Sequence, residues 1–461
     1  MPSTSPYTRL VASLLFPLHE RLKRHDSVAV RRGLEQSQYW PVERLRELQL
    51  QRLRRLLDRA GRHVPHYRQL FAAIDFVPGR DLATLAGLAR LPLTDKAFMR
   101  THGERLRAAD GGPLARSNTG GSGGEPLVFY IGRERVSHDV AAKWRATRWW
   151  SVDIGDREIV VWGSPIELGA QDRVRAARDA LLRTELLPAF DMPVARLDGF
   201  IDRIRRRRPR MLFGYPSALS YLARHALARG QRMDDLGIRV AFVTAELLYD
   251  EQRRQIGAAF GCPVANGYGG RDAGFIAHEC PHGGMHLTFE DIVVEIVDGG
   301  GRSLPPGEQG EIVVTHLASG DYPFVRYRTG DIGAIATAPC ACGRGLPLLQ
   351  GLQGRSTDFV VARDGTVMHG LALVYVLRDL AQVRAFRIVQ ESLELTRVQV
   401  VLDQCLDRAL RDTVVAGLRR RLGAAVAVEV EQVDAILPEK SGKFRYVVSK
   451  VAASRRDESM A

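Results

Sequence analysis

Strand-like and helix-like segments alternate over residues 157–260, and this alternation constrains the fold more than any other feature of the sequence. Short β-rich segments such as REIVVWGS, RMLFGYP and IRVAFVTAE are separated by segments of helical periodicity such as LDGFIDRIRRRRP, SALSYLARHALARG and DEQRRQIGAAFG. Strands joined by helices usually lie parallel in one sheet, and ligands then bind at the carboxyl ends of the strands. The sequence therefore predicts an α/β protein, with a large N-terminal domain in which helices surround mostly parallel sheets.

Other patterns precede and follow this region. Residues 1–110 have the leucine spacing of helices, and residues 285–350 contain period-2 segments that predict an antiparallel sub-barrel or sheet. After GLQGRSTD the remaining residues are typical of a small α+β unit, and 461 residues are too many for one ordinary domain. We therefore predict an N-terminal domain at 1–355 and a C-terminal α+β domain at 356–461.

The formal net charge of +13 favours anionic ligands such as nucleotides, CoA, nucleic acid or a membrane surface, although arginines on helix faces supply much of it. No nucleic-acid-binding motif is recognisable, so we expect no nucleic-acid partner. The longest apolar stretch near the start, residues 10–18, is too short to span a membrane, and no signal-peptide cleavage site follows it. We expect a cytoplasmic protein whose residues 1–25 dock onto the domain, with a basic amphipathic helix resting on a membrane as the alternative.

A glycine-rich loop lies within SNTGGSGGEPLVFY, residues 117–130. It lacks the lysine of a P-loop and the glycine spacing of a Rossmann fingerprint, and strand-like residues rather than a helix follow it. Its backbone N–H groups and hydroxyls are able to wrap phosphates, while a plain glycine-rich hairpin is the alternative interpretation. The candidate phosphate ligands are Ser117, Thr119, Gly120, Gly121, Ser122, Gly123 and Gly124.

Cysteines and histidines are concentrated in HECPHGGMH (278–286) and PCACGRG (339–345). An odd total of five cysteines with this spacing argues for metal binding rather than for disulfides. A set of three thiolates and one imidazole suits structural zinc, and reduced cysteines without a metal are the alternative. The predicted ligands are Cys280, His286, Cys340 and Cys342, and the alternatives for the fourth ligand are His278 and His282. Cys262 and Cys405 are expected to be core residues.

Four segments follow the glycine loop in order, namely NGYGGRDAG (266–274), RYRTGDIG (326–333), LQGRSTD (352–358) and LPEKSGKFRYVVSK (437–450). Together with the loop they resemble the ordered core motifs of adenylate-forming enzymes, the superfamily of acyl-CoA ligases, peptide-synthetase adenylation domains and luciferases. The segments FPLHERLKRHDS, HVPHYRQLF and LPLTDKAFMR resemble more narrowly the phenylacetate–CoA ligase-like branch, which includes relatives found near capsule and polysaccharide genes. The resemblance extends over nearly the whole chain.

This resemblance implies an ATP-binding site. The glycine loop would hold the β- and γ-phosphates, Tyr268 and Gly269 would shape the adenine and acyl pocket, and Asp331 would accept hydrogen bonds from the ribose hydroxyls. Arg355 would contact the ribose or a phosphate. Candidate walls of the acyl pocket lie at the ends of predicted strands, at residues 162–165, 213–216 and 244–246, and Glu246 in the last of these is a further candidate for cofactor binding.

The resemblance also implies catalytic groups. Asp272 stands where the family usually has glutamate and would bind Mg2+ and the phosphates. Lys443, on a mobile C-terminal domain, would bridge the substrate carboxylate and the α-phosphate. The chain departs from the family pattern in the loop, where Gly123 and Glu125 replace a common hydroxyl residue and a common lysine. The hinge acid is expected at Thr357 or one residue later, at Asp358.

The implied activity is an AMP-forming acid–thiol ligase reaction, in which ATP activates a small carboxylic acid as an acyl-adenylate and CoA accepts the acyl group. Alternative acceptors are a carrier protein, a sugar or an amine, and a non-catalytic binding protein on the same fold is an alternative of another class. ATP, Mg2+, CoA and structural Zn2+ are the expected cofactors, and a homodimer is left open.

Overall fold

The computed structural model describes residues 5–119, 127–162, 173–189, 194–355, 359–364, 367–369, 371–378, 380–436 and 445–451. The chain divides into two compact units, Met1–Gln353 and Gly354–Ala461. No helix within the described part of the chain has both the length and the apolar character that a membrane crossing requires.

Helices make up the first part of unit one, as the leucine pattern predicts. The helix Val42–His63 buries one leucine face, including Leu45, Leu53 and Leu57, because these residues recur at helical spacing. Its neighbours pack with it against a core that also contains the antiparallel strands described below. The α-helical segments are Pro6–Leu10, Phe16–Leu22, Ser27–Ser37, Val42–His63, Pro65–Ala73, Pro78–Asp81 and Lys96–His102, with a π-helix at Val11–Leu15 and 3-10 helices at Leu85–Arg90 and Gly103–Leu106.

A seven-stranded sheet forms the centre of unit one, in the order β4-β3-β5-β6-β7-β8-β9. Strands β3 to β7 pair in parallel, and β8 and β9 add antiparallel pairs at one edge. The strands are β3 Glu158–Trp162, β4 Thr184–Pro188, β5 Met211–Gly214, β6 Val240–Thr244, β7 Val264–Gly270, β8 Gly274–Glu279 and β9 Met285–Leu287. The helices that connect or cover them are Arg133–Trp149, Arg173–Leu181, Val194–Arg207, Pro216–Ala228 and Asp250–Phe260, with a 3-10 turn at Asp234–Leu236. The predicted α/β class with a mostly parallel sheet is confirmed.

A four-stranded sheet follows, in the order β10-β11-β12-β13, in which β10–β11 and β11–β12 pair antiparallel. Its strands are β10 Ile292–Val297, β11 Gly310–His316, β12 Tyr327–Ile335 and β13 Leu349–Arg355. The sequence pattern predicts an antiparallel region from residue 285, but residues 285–287 extend the seven-stranded sheet instead. The strand β4 was not expected, because its sequence TELLP is short, half polar and ends in proline.

The glycine loop connects a small hairpin, in which β1 Ala115–Asn118 pairs antiparallel with β2 Val128–Ile131. Unit two is α+β, with the sheet order β18-β17-β16-β19 and a separate hairpin of β14 and β15. Its strands are β14 Phe359–Val361, β15 Val367–His369, β16 Val383–Gln390, β17 Leu395–Leu402, β18 Ala427–Gln432 and β19 Val447–Ser449, and its helices are Leu371–Arg378 and Arg408–Leu422. Asp407 caps the second helix by accepting a hydrogen bond from the Leu410 amide, 2.7 Å away.

Candidate functional site

Two of the sequence motifs contain a tyrosine followed four residues later by an aspartate. In the first motif Tyr268 lies on β7 and Asp272 lies in the turn between β7 and β8. In the second motif Tyr327 and Asp331 both lie on β12. The motifs are separated along the chain and belong to different sheets, so their contact depends on how the two sheets pack.

The two motifs exchange hydrogen bonds, because each tyrosine donates to the aspartate of the other motif. The Tyr268 hydroxyl donates to Asp331 Oδ2 over 2.9 Å, and the Tyr327 hydroxyl donates to Asp272 Oδ2 over 2.7 Å. A carboxylate is a strong acceptor, so both contacts are charge-assisted when the acids are ionised. These two hydrogen bonds link the motif of Asp272, the candidate Mg2+ ligand, to the motif of Asp331, the candidate ribose ligand.

The two tyrosine–aspartate pairs differ in solvent exposure. Tyr327 is 1% exposed and Asp272 is 8% exposed, whereas Tyr268 and Asp331 are both partly exposed. Thr329 lies beside the outer pair, because its hydroxyl donates to the Ile312 carbonyl over 2.8 Å and accepts from the Asp331 amide over 3.1 Å. Asp331 is therefore the more accessible carboxylate of the two.

Arg135 supports the turn that carries Asp272, and the sequence analysis did not identify it. Its side chain is 1% exposed, and Nη2 donates to the carbonyls of Arg271 and Asp272 over 2.9 and 2.8 Å. The guanidinium also approaches Asp139, at 3.5 Å. In the sequence Arg135 resembles any basic residue on a helix face, so only the fold reveals this contact. Tyr327 was also missed, although the repeated tyrosine–aspartate spacing was visible.

Close backbone approach explains the glycines of the first motif. A Cβ atom on Gly269 would lie 2.2 Å from the Gly274 carbonyl oxygen, which is far inside van der Waals contact. Gly274 has a φ of +82°, and a Cβ there would also meet His316. The β7–β8 pairing shifts register between Tyr268 and Gly269. These close contacts restrict the backbone conformation at Tyr268 and in the turn that follows it.

The glycine loop is described only at its base. Ser117 pairs with Phe129 across the hairpin, and Thr119 closes the loop by two bonds to Leu127. The Thr119 amide donates to the Leu127 carbonyl, and the Leu127 amide donates to Thr119 Oγ1, each over 3.0 Å. The Thr119 hydroxyl thus has a hydrogen-bonding role within the hairpin. Gly120, Gly121, Ser122, Gly123 and Gly124 lie outside the described residues.

Glu246 follows β6 and lies near the start of the helix Pro216–Ala228. Its Oε2 accepts a hydrogen bond from the Ser217 amide over 3.2 Å, which is the interaction expected of an anion at a helix N-terminus.

Among the predicted pocket walls, Trp162 stacks on Tyr215 with ring centroids 4.2 Å apart. Residues 163–165 lie outside the described residues.

Arg355 is the last residue of β13, and its side chain is not among those described. Lys443, Thr357 and Asp358 lie outside the described residues. The roles of Arg355 and Lys443 therefore remain predictions.

The four predicted metal ligands converge on one point. One ligand atom from each of Cys280, His286, Cys340 and Cys342 lies within 4.8 Å of all the others. The Sγ atoms of Cys280 and Cys340 are 3.7 Å apart, and His286 Nε2 is 3.1 Å from Cys342 Sγ. Tetrahedral zinc with Zn–S bonds of about 2.3 Å separates two sulfurs by about 3.8 Å, so the donor set fits this metal. The thiols are free, and 3.7 Å is far too long for a disulfide bond.

Local contacts orient the cluster. The His286 Nδ1 atom lies 3.2 Å from the Leu346 carbonyl, which favours the tautomer that leaves Nε2 as a metal-binding atom. Burial lowers the pKa of His286 to about 4, so this imidazole is neutral at pH 7. A Cβ on Gly284 would lie 2.7 Å from Cys340 Sγ, so glycine is needed beside the cluster.

His278, one of the two alternatives for the fourth ligand, is not part of this cluster. The ring of His278 is buried, with centroids 5.4 and 5.9 Å from those of Phe275 and Phe242, and burial lowers its pKa to about 3. Cys262 is buried as expected. The same expectation is wrong for Cys405, which is exposed because it lies in the connection between β17 and the helix Arg408–Leu422.

Known protein families match segments in both units of the chain. Residues 187–318 match the family model described as AMP-binding enzyme, and residues 360–450 match the CapK C-terminal domain. Phenylacetate-coenzyme A ligase of Pseudomonas putida is 27% identical over 431 residues, which cover 90% of this chain and 96% of that protein. Protein CapK of Staphylococcus aureus is 23% identical over 423 residues, which cover 90% of this chain and 92% of that protein.

A solved structure has the same fold over most of the chain. The crystal structure of 2-hydroxyisobutyryl-CoA ligase in the postadenylation state aligns with a TM-score of 0.72 at 21% sequence identity. The alignment covers 90% of this chain and 92% of that chain. At 21% sequence identity, this similarity shows a shared fold only.

Proposed function

We propose that this chain is an AMP-forming ligase that joins a carboxylic acid to CoA, as a member of the phenylacetate–CoA ligase-like branch of the adenylate-forming superfamily. The observation that supports the proposal is the crossed pair of tyrosine–aspartate hydrogen bonds, because it joins two motifs that are both expected to bind the nucleotide. The phenylacetate–CoA ligase relatives support CoA as the acceptor. The acid is a small carboxylic acid whose identity the experiment below addresses.

The proposed reaction has two steps. In the first, a carboxylate oxygen of the substrate attacks the α-phosphorus of ATP, and the bond to the bridging oxygen breaks as pyrophosphate leaves. In the second, the CoA thiolate attacks the acyl carbon, and the carbon–oxygen bond to AMP breaks. The first step brings anions together, so it requires cationic groups around the reacting centre.

The proposed nucleotide contacts follow from accessibility and chemistry. Asp331 would accept hydrogen bonds from the ribose hydroxyls, because it is the partly exposed carboxylate of the crossed pairs. Tyr268 and Gly269 would shape the adenine and acyl pocket, Arg355 would contact the ribose or a phosphate, and the loop at 117–126 would contact the β- and γ-phosphates. Glu246 would lie at the edge of the acyl pocket.

The proposed catalytic groups are Asp272 and Lys443. Asp272 would hold Mg2+, which would neutralise charge on the pyrophosphate leaving group, and Arg135 keeps the backbone of this turn in place. Lys443 would stabilise the negative charge that develops between the carboxylate and the α-phosphate. We propose that residues 1–355 hold the nucleotide and that residues 356–461 contribute this lysine.

For the cysteine–histidine cluster we propose a structural zinc ion bound by Cys280, His286, Cys340 and Cys342. Four protein ligands leave no open coordination position, so the metal would stabilise the fold and take no part in acyl transfer. Zinc measured in purified protein at about one equivalent, and lost together with thermal stability in Cys340→Ser, is the expected result. A protein without zinc that is equally stable would contradict this assignment.

A carrier protein, sugar or amine in place of CoA is a second candidate for the acceptor. The resemblance to relatives found near capsule and polysaccharide genes, together with the match of residues 360–450 to the CapK C-terminal domain, favours it. A reaction that consumes the acyl-adenylate with CoA and releases AMP supports the ligase proposal. An adenylate that hydroxylamine traps but that CoA does not consume supports the second candidate.

The experiment that tests the proposal is ATP–pyrophosphate exchange over a panel of aryl, fatty and small hydroxy acids. Exchange that depends on one of these acids is the expected result, and its absence with every acid would contradict adenylation in this panel. The variant Lys443→Ala should abolish exchange, whereas it should still form the thioester from supplied acyl-adenylate. Lys450→Ala is the matched control, because Lys450 is exposed and paired with Glu391. Equal loss of both half-reactions in Lys443→Ala would refute the proposed role of the lysine.

A further inference from the structure

A stripe of exposed leucines runs along the first helical segment, residues 6–22, which joins two α-helices through the π-helix Val11–Leu15. Leu10, Leu14, Leu18 and Leu22 recur every four residues and are 44, 57, 53 and 77% exposed. Residues four apart are neighbours on a helix surface, so each leucine of this row lies next to the following one. Single exposed leucines are common in soluble proteins, but an aligned row of four is not.

The opposite face of this segment is firmly packed, so the exposure does not come from a loose chain end. Val11 is fully buried, and Phe16 packs edge-to-face on Trp144 with ring centroids 5.1 Å apart. Thr8 Oγ1 donates to Asp156 Oδ1 over 2.9 Å. A Cβ on Gly155 would lie only 2.5 Å from the Val11 side chain. The docking predicted for residues 1–25 is thus observed for the helical residues 6–22, whose leucine row is exposed, while residues 1–4 lie outside the described residues.

The exposed charged residues between residues 6 and 24 are all basic. Arg9, Arg21, Lys23 and Arg24 are exposed. Within the part of the chain that the structure describes, no ion pair is found for the last three of these residues. The acids between residues 5 and 30 are Glu20, which is 4% exposed, and Asp26, which follows the basic cluster. The exposed surface of the segment therefore combines leucines with cations.

We propose that this leucine stripe binds the surface of a membrane that contains anionic lipids. A helix that buries leucines at the acyl boundary and places arginine and lysine among anionic headgroups has the properties of an interfacial helix. The segment is far shorter than the roughly 20 apolar residues that span a bilayer, so the helix would lie in the plane of the interface. A second copy of the chain fits this surface less well, because joining two leucine stripes would bring their cationic borders together.

The first test measures cosedimentation of the full chain with vesicles of equal parts phosphatidylglycerol and phosphatidylcholine, beside vesicles of phosphatidylcholine alone. We expect binding to the anionic vesicles that weakens as salt is raised. The double variant L14Q/L18Q should bind at least about tenfold more weakly, because two leucines no longer enter the interface. Its matched control is V77Q/Y221Q, which alters two exposed apolar residues on other parts of the chain and should bind as the wild type does.

The second test removes charge. The triple variant R21S/K23S/R24S should lose about fivefold in binding for each residue replaced. The control R55S/R206S/R411S removes three exposed arginines that lie on other helices and should change binding much less. Pyrophosphate exchange and the thermal transition should be unaffected in both N-terminal variants, which separates this proposal from the proposed enzymatic function and from misfolding.

Three outcomes would overturn the proposal. The first is a wild-type protein that fails to bind anionic vesicles at low salt, and the second is an L14Q/L18Q variant that binds as well as the wild type. The third is a wild-type dimer, detected by light scattering, that L14Q/L18Q converts to monomer without any vesicle binding, which would identify the stripe as an interface between copies of the chain.

Discussion

The inner and outer tyrosine–aspartate pairs use the same chemistry at different depths. Tyr327 and Asp272 form the inner pair and are almost fully buried, whereas Tyr268 and Asp331 form the outer pair and are partly exposed. A buried carboxylate depends on its partner for solvation, while an exposed one exchanges partners with water or ligand. The inner pair therefore combines a structural bond with the proposed Mg2+ site, and the outer pair is suited to recognise a ligand.

The largest expected effect comes from Asp272→Asn. The amide still accepts a hydrogen bond from Tyr327 but lacks the negative charge that a hard divalent cation requires, so adenylation should fall by about a hundredfold or more. The measurement is the rate of pyrophosphate exchange as a function of Mg2+ concentration. Asp110→Asn, at a surface ion pair with Arg59, is the control and should leave the rate unchanged. A variant with wild-type exchange at every Mg2+ concentration would show that Asp272 is not a metal ligand.

The next largest effect should be on stability, in Tyr327→Phe. Removing the hydroxyl leaves a buried Asp272 carboxylate oxygen without its donor, which costs about 1–3 kcal/mol in the free energy of unfolding. Urea denaturation of the full chain measures this difference. No loss of stability would indicate that another donor or water replaces the tyrosine, and the inner pair would then not be a structural bond.

Asp331→Asn should affect ligand binding and leave the fold intact. The neutral amide forms weaker hydrogen bonds than the carboxylate, so the KM for ATP should rise about tenfold with little change in kcat. The free energy of unfolding should stay within about 0.5 kcal/mol of the wild type, as for most partly exposed positions. A stability loss as large as that of Tyr327→Phe would remove the distinction between the two pairs.

Local patterns explain which parts of the molecule were predictable. The strands β5 and β6 are short apolar runs bounded by turn residues, and the cysteine cluster uses closely spaced ligands within two short segments. The crossed hydrogen bonds were not predictable, because they depend on how β7 and its turn meet β12 in another sheet. The contact from Arg135 to the Asp272 turn joins residues 137 positions apart, and nothing in the sequence around Arg135 distinguishes it from a solvated helix residue.

The smallest expected effect is that of Tyr268→Phe, and it provides the most direct comparison of the two pairs. The substitution removes the same hydroxyl–carboxylate bond as Tyr327→Phe, but water can solvate the partly exposed Asp331 that remains. The unfolding free energy should therefore fall by less than about 1 kcal/mol, and the KM for ATP should change by about two- to threefold. Denaturation and steady-state kinetics on the two variants in parallel measure both quantities. If the two substitutions cost the same stability, burial does not separate the pairs, and the assignment of Asp331 to the ligand and of Tyr327 to the fold would have to be abandoned.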